Sequence, residues 1–241
     1  MCASFLFLII FCRYCPLNDM KDTFSTLPLL ELLRQGLINL QPVDHWRDAS
    51  FRSEAAVLLA FTDEVEPQLV LTRRADHLKS HRGEVALPGG KIDPSDESFI
   101  AAALRESHEE INLQPSAVEV LGQLDPMVTR FGVKVTPVVG IISPDIILTP
   151  NPDELDSIFR VPLAFFLRDE RMRTDRGSVN GHSVAVPCWN WQGYEIWGVT
   201  AIIIVNFMNR VLGQNISTGV ELLAQKTDGL IMPEAWLSTD D

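Results

Sequence analysis

Residues 87–113 read Leu87-Pro88-Gly89-Gly90-Lys91-Ile92-Asp93-Pro94-Ser95-Asp96-Glu97-Ser98-Phe99-Ile100-Ala101-Ala102-Ala103-Leu104-Arg105-Glu106-Ser107-His108-Glu109-Glu110-Ile111-Asn112-Leu113. The stretch opens on a Gly-Gly turn, where the backbone can be approached closely. Asp93 suits a helix N-cap and Pro94 the first helical position, with Asp96 and Glu97 as acids in the first turn. A helix is predicted from about Pro94 to Ile111. At roughly 100° per residue, with Glu106 as origin, Glu110 falls at about +40° and Glu109 at about −60°. These acids therefore share one face. Ile100, Leu104, Ser107 and Ile111 form a separate stripe, apolar except for Ser107. Ala102 and Ala103 lie near the carboxylates and leave them uncrowded.

Acids packed this closely repel one another, by a few tenths of a kcal/mol per like pair at (i, i+4) on a solvated helix. A solvated acidic face is the plain reading of such a run. Two features favour a second reading. The Gly-Gly turn approaches the same face, and Arg105 adjoins it and can brace one carboxylate. Hard oxygen ligands at this density suit Mg²⁺ or Mn²⁺, held together with water and substrate phosphates. That chemistry fits metal-assisted attack on a phosphorus centre.

Working outward, Thr26 to Gly36 reads as a short helix with Pro28 in its first turn and Gly36 at its stop. Ala55–Phe61 and Gln68–Thr72 are β-rich runs around the acidic turn Asp63-Glu64-Val65-Glu66, a hairpin signal. Val85–Leu87 is a short strand ending at the Pro-Gly-Gly turn. Val118–Gln123, Lys134–Ile142 and Leu155–Val161 are further strands, the last followed by the apolar run Leu163–Leu167. Cys188–Trp191 and Tyr194–Trp197 form a hairpin around Gln192-Gly193, and a last helix covers about Val199–Leu212. Strands and helices mix without regular βαβ alternation. The expected class is α+β, or an α/β/α sandwich with a mixed sheet.

Arg105-Glu106-Ser107-His108-Glu109-Glu110-Ile111-Asn112-Leu113 resembles the second half of the Nudix box, and Gly90 and Glu97 resemble its first half. Glu97 keeps the seven-residue gap to Arg105 but has six residues between it and Gly90 rather than five; Asp96 fits the first gap and not the second. Ser107 replaces an apolar residue. Asn112 replaces a glycine, a change that a left-handed helix stop tolerates. Upstream, Val70-Leu71-Thr72-Arg73-Arg74-Ala75, Lys79, Gly83 and Leu87-Pro88-Gly89-Gly90 keep the spacing of the extra signature of the coenzyme A pyrophosphatase branch. Val135-Thr136-Pro137-Val138-Val139-Gly140 and Ile196-Trp197-Gly198-Val199-Thr200-Ala201 are also similar to that branch.

The resemblance, covering about residues 50 to 212, implies a Nudix-type α/β/α sandwich that hydrolyses coenzyme A or its thioesters to 3′,5′-ADP and 4′-phosphopantetheine with Mg²⁺ or Mn²⁺. By position, Glu106 and Glu110 are its main metal ligands, Glu109 completes the cluster and the Gly89 carbonyl is a further candidate ligand. Arg105 orients a glutamate, with Glu97 a candidate partner. A box glutamate or a later loop glutamate serves as general base, Glu154 being the candidate. Arg73, Arg74, Lys79 and neighbouring Arg82 form a basic stretch that either holds the adenosine 3′-phosphate or is ordinary solvated charge. The implied partner is a small diphosphate of the coenzyme A class, with no nucleic acid; a membrane is disfavoured and a homodimer is allowed. Two alternatives stand beside it: a Nudix hydrolase of another nucleoside diphosphate derivative, such as ADP-ribose or a dinucleotide, and a non-catalytic Nudix-fold binding module. Glu106, Glu109 and Glu110 argue against the latter, since a pure binder need not tolerate their repulsion.

The whole chain has 241 residues, 46% apolar and 22% charged, which excludes disordered and low-complexity classes. Its net charge of −12 disfavours nucleic acid in general. Cys2, Cys12, Cys15 and Cys188 match no redox or zinc spacing, so a reducing cytoplasm is expected. Residues 3–12 are apolar but far short of the roughly 20 needed to span a bilayer. A weak anchor, a signal segment and an extension upstream of a working start at Met20 are the competing readings, and the last is preferred. The expected division is 1–19 extension, 20–49 helical segment, 50–212 hydrolase domain and 213–241 tail. His77, His81 and His108 lack metal spacing and are expected in surface or hydrogen-bonding roles. Trp189, Trp191 and Trp197 are expected to pack in the core or hairpin.

Overall fold

The computed structural model describes residues 28–38, 40–44, 51–129, 131–179, 182–216 and 218. The expected extension at 1–19, the start at Met20 and most of the tail lie outside them. Helix α1 is Leu29–Ile38. Strands β1 (Ser53–Thr62), β2 (Gln68–Arg74), β3 (Val85–Ala86) and β4 (Gly89–Lys91) lead to helix α2 (Phe99–Ile111). Then come β5 (Glu119–Gln123), β6 (Met127–Val128), β7 (Val133–Ile142), β8 (Leu155–Pro162), the short helix α3 (Leu163–Leu167), β9 (Arg173–Val179), β10 (His182–Trp191), β11 (Tyr194–Ile196) and helix α4 (Gly198–Leu212).

An eight-stranded mixed sheet runs β3-β2-β1-β7-β5, with β4 paired to β1, β6 to β7 and β8 to β2. β1 and β7 are parallel from Ser53↔Val133 to Thr62↔Ile142, and the other pairings are antiparallel. The period-2 alternation of β1 gives the sheet two covered faces. Ala55, Leu59 and Phe61 join a core with Leu33 of α1 and Phe207 of α4. Ala56, Leu58 and Ala60 join a second core with Ala102, Ala103 and Ile111 of α2. Covering both faces is why β1 reads as a nearly continuous apolar run. The expected α+β class, an α/β/α sandwich on a mixed sheet, is the observed one. α1 packs on α4, where a side chain at Gly36 would collide with the Val211 backbone. The described part of the 20–49 segment thus belongs to the same packed unit.

Three elements differ from expectation. Residues 163–167, an apolar run in sequence, form helix α3. β9, seven residues of mainly polar and charged side chains, was not anticipated, because only its antiparallel pairing with β10 makes it a strand. Finally, α2 begins at Phe99 rather than near Pro94. Asp93 closes a local turn instead, accepting from the Ser95 N–H (2.9 Å) and Ser95 hydroxyl (2.7 Å), while Ser98 caps the helix through the Ala101 N–H. Asp side chains favour such turns as readily as caps. Among the described residues no helix is long and apolar enough to cross a membrane.

Candidate active site

Helix α2 packs on β1 and β4, and its buried residues are Ala102, Ala103, Ser107, Glu110 and Ile111. The buried arc therefore takes in part of the carboxylate face together with Ser107 and Ile111 of the separate stripe expected from the periodicity. Ile100 and Leu104 of that stripe are only half-buried. The small side chains of Ala102 and Ala103 let the helix sit close on the sheet, and this turns Glu110 inward. At the C-terminus, Asn112 adopts the left-handed conformation (φ 55°) and its N–H reaches the His108 carbonyl, ending the helix as expected.

Glu110 is 4% exposed. Its Oε2 accepts the Gly89 N–H at 3.0 Å, and its Oε1 lies 3.9 Å from Arg74 Nη1. Burial, supplemented by the charges of Glu154 and Glu106, pushes its carboxyl up to about 7 against the opposing pull of Gly89 and Arg74. The Glu106 side chain is 18% exposed. Its carboxyl is also raised, first by burial and then by Glu109 and Glu154, with Arg105 opposing. Gly90 makes room for it, since a Cβ there would overlap the Glu106 carboxylate. Gly89 has φ 145°, and a Cβ on it would overlap the Ala56 carbonyl and Val57. Both glycines of the turn are thus required by close approach, one to the sheet and one to an acid.

Arg105 spreads over the cluster. Its Nε and Nη2 bind the two oxygens of Asp96 (3.0 and 2.9 Å), Nη1 binds Glu106 (3.0 Å) and Glu109 (3.2 Å), and Nη2 also donates to the Lys91 carbonyl (3.1 Å). Asp96 is 4% exposed on its side chain, whereas Glu109 is 54% exposed. The solvated-face reading therefore holds for Glu109 and fails for Glu106 and Glu110. The Arg105 partner is Asp96, not Glu97. Asp96 keeps the five-residue gap from Gly90, and the extra residue falls between it and the Ser98 cap. Glu97 is left exposed, with no ion pair among the described residues. The spacing from Gly90 was the signal for this partner.

The Arg105 guanidinium holds the Asp96 carboxyl below the ordinary carboxylate range, and the Asp93 N–H–Asp96 contact of 2.8 Å acts in the same direction. A carboxylate depressed in the folded state adds stability above its unfolded value, near about 3.9, and loses it as pH falls through its folded value. Asp96→Asn is therefore expected to lower the melting temperature at neutral pH and to flatten its decline below about pH 3.9. Thermal melts of both proteins between acidic and neutral pH check this. Parallel curves would contradict it.

Glu154 reaches the cluster from another loop. The Asn151 N–H donates to the Glu110 carbonyl (2.8 Å) and the Ala75 N–H to the Glu154 carbonyl (2.9 Å). The Glu154 charge acts on both Glu106 and Glu110. The basic stretch is not gathered into one patch. Arg74 faces Glu110, while Arg73 is clamped by Asp76 (2.6 Å) and Asp156. Lys79 is exposed, without a partner among the described residues. His77 and His81 make surface contacts with the Asp153 carbonyl and Glu84. His108 is exposed on the last turn of α2. Trp189 and Trp191 pack on Phe166 and Phe165 as expected. Trp197 instead is 41% exposed. No set of three or more Asp, Glu, His or Cys side chains among the described residues stands as a ready-made metal cage.

Residues 52–178 match the model of the NUDIX domain. Among curated proteins, an uncharacterised Nudix hydrolase NudL of Enterobacter sp. (strain 638) is 44% identical over 158 residues, covering 66% of this chain and 82% of that one. An uncharacterised Nudix hydrolase NudL of Yersinia enterocolitica is 45% identical over 160 residues, covering 65% and 80%. The crystal structure of a MutT/nudix family protein from Enterococcus faecalis matches 89% of this chain and 81% of that chain, at 15% identity and a TM-score of 0.45.

Proposed function

The chain belongs to the Nudix hydrolase family, and from that premise we propose that it cleaves the diphosphate bond of coenzyme A or its thioesters. Water adds to one phosphorus of the diphosphate, the bridging P–O bond breaks, and 3′,5′-ADP and 4′-phosphopantetheine leave. The observation that carries a catalytic reading is the pair Glu106 and Glu110. Both are desolvated beside the Gly89-Gly90 turn, with carboxyls raised by burial and by neighbouring acids. A pure binding module has no need of such a pair. The coenzyme A class is supported by the signature running from Val70 to Gly90, whose spacing is kept.

Nudix hydrolases use divalent cations, and the donor set here fits Mg²⁺ or Mn²⁺. Glu106 and Glu110 supply hard oxygens whose mutual repulsion a cation would relieve, with Glu109 and the Gly89 carbonyl as further ligands. The bound ion supplies charge stabilisation at the phosphoryl oxygens and a more acidic water. The chain's own residues do the rest. Arg105 fixes the carboxylates of Glu106 and Glu109 while anchored on Asp96. Glu154 serves as the base, supported by its effect on both buried acids. The place of Arg74 beside Glu110 supports a role at the diphosphate itself. Residues 50–212 constitute the hydrolase domain, and a cytoplasmic setting is supported by four cysteines that keep no redox or zinc spacing.

Product identification tests the reading. The full chain with Mg²⁺ is offered coenzyme A, ADP-ribose and a dinucleoside polyphosphate in parallel. Fastest release of 3′,5′-ADP from coenzyme A is expected, and faster cleavage of ADP-ribose moves the chain to another substrate class. Coenzyme A should also exceed 3′-dephospho-coenzyme A in kcat/KM by roughly 10- to 150-fold. That range corresponds to one charge-assisted hydrogen bond of about 1.5–3 kcal/mol. Lys79 is exposed, so Lys79→Ala is expected to reduce that preference by no more than about 0–1 kcal/mol, the worth of a solvated pair. Equal rates for the two substrates would remove the 3′-phosphate from recognition.

A further inference from the structure

A cleft of about 480 Å³ opens between the β2–β3 connection and the β10–β11 hairpin, lined by Arg82, Gly83, Val85, Tyr194 and Trp197 among others. Its size falls in the range of small-molecule sites. We infer that it takes the flat heteroaromatic ring of the substrate, stacked on Trp197, with an anion attached to that nucleoside on Arg82. The inference rests on the reading of the substrate as an adenine nucleotide diphosphate, not on coenzyme A in particular.

Trp197 is the first observation. The neighbouring hairpin aromatics each have a ring partner: Trp189 with Phe166, Trp191 with Phe165 and Tyr194 with Phe159. Trp197 has none among the described residues and is 41% exposed within the cleft. Its backbone is pinned all the same. Ile196 before it is fully buried, and the Thr200 hydroxyl on the first turn of α4 donates to the Val85 carbonyl at 3.0 Å. An indole held open by a fixed backbone can stack a base at little ordering cost.

Charge is the second observation. Of the acids around the cleft, Glu195 is paired with Arg173, and Glu84 contacts the His81 ring, which is a counter-charge only when the imidazole is protonated. Arg73, also at the cleft, is neutralised by Asp76 and Asp156. Arg82 is exposed and has no ion pair among the described residues. It is the guanidinium left unpaired beside an open aromatic face. Connection to the reacting end is the third. Val85 lines the cleft, and Gly89, which binds Glu110, lies four residues further on. Extended chain of that length covers at most about 13 Å, a separation that a nucleoside diphosphate can bridge.

Calorimetric binding of the products to the full-length protein tests the cleft without depending on turnover. Trp197→Leu is expected to weaken 3′,5′-ADP by roughly 5- to 150-fold, the equivalent of about 1–3 kcal/mol of base stacking. Trp197→Phe should recover most of that loss, which a merely structural role of the indole would not predict. Binding of 4′-phosphopantetheine, which has no ring, should change less than about twofold in both. Arg82→Ala should weaken 3′,5′-ADP more than adenosine. Unchanged 3′,5′-ADP affinity in Trp197→Leu, or no 3′,5′-ADP binding by the wild type, overturns the inference. If coenzyme A is still cleaved in that case, the hydrolase reading stands without the cleft. If ADP-ribose is preferred while Trp197→Leu still weakens adenine nucleotides, the cleft stands and the coenzyme A reading falls.

Discussion

Glu106→Gln is expected to fold and to lose at least roughly 10²–10³ in kcat, a loss at least comparable to removing one preorganised electrostatic donor from an active site. The substitution keeps the shape of the side chain and an oxygen for Arg105 Nη1, so the 3.0 Å contact has a successor. It removes the charge proposed to hold the cation. Stability should not fall with activity. Because the Glu106 carboxyl is raised in the fold, its ionised form is disfavoured there, and above the raised value the charge detracts from stability. The expected result is a melting temperature at or above that of the wild type near neutral pH, alongside the loss of turnover. Activity within a few-fold of wild type would remove Glu106 from the mechanism. A large drop in melting temperature would instead make it a structural acid.

Metal removal is expected to have the larger effect, since it abolishes turnover outright. Chelation leaves Glu106 and Glu110 facing each other and Glu154, with Arg105 opposing at Glu106 and Arg74 at Glu110. Arg74 is 3.9 Å from Glu110, too far for a tight ion pair. Adding back Mg²⁺ or Mn²⁺ should restore the initial rate. Turnover that persists in excess chelator would exclude the proposed metal role of these carboxylates.

The sequence carried the fold well where two signals agreed. β1 is an apolar run ended by the acidic turn Asp63-Glu64-Val65-Glu66, β7 is an apolar run of the same length, and α4 is a long apolar helix stopped by Gly213. It carried β9 poorly, because polar residues such as Thr174, Asp175 and Arg176 become a strand only through their partners in β10. The cluster of acids was legible from spacing, but its exposure was not. Periodicity placed Glu106, Glu109 and Glu110 together and could not reveal that Ala102 and Ala103 draw the helix onto the sheet and bury two of the three. Asp96 was legible only halfway. The spacing from Gly90 favoured it and the spacing to Arg105 favoured Glu97, and the turn at Asp93 decides between them. Trp197 was not legible at all, since exposure depends on where the hairpin meets β3.

The most direct single measurement is the initial rate at which the full chain releases 3′,5′-ADP from coenzyme A, with Mg²⁺ present and with Mg²⁺ chelated. Equimolar 3′,5′-ADP and 4′-phosphopantetheine in the first condition, and neither in the second, is the predicted result. No cleavage of coenzyme A with Mg²⁺ or Mn²⁺ supplied, or the same rate in both conditions, would contradict it.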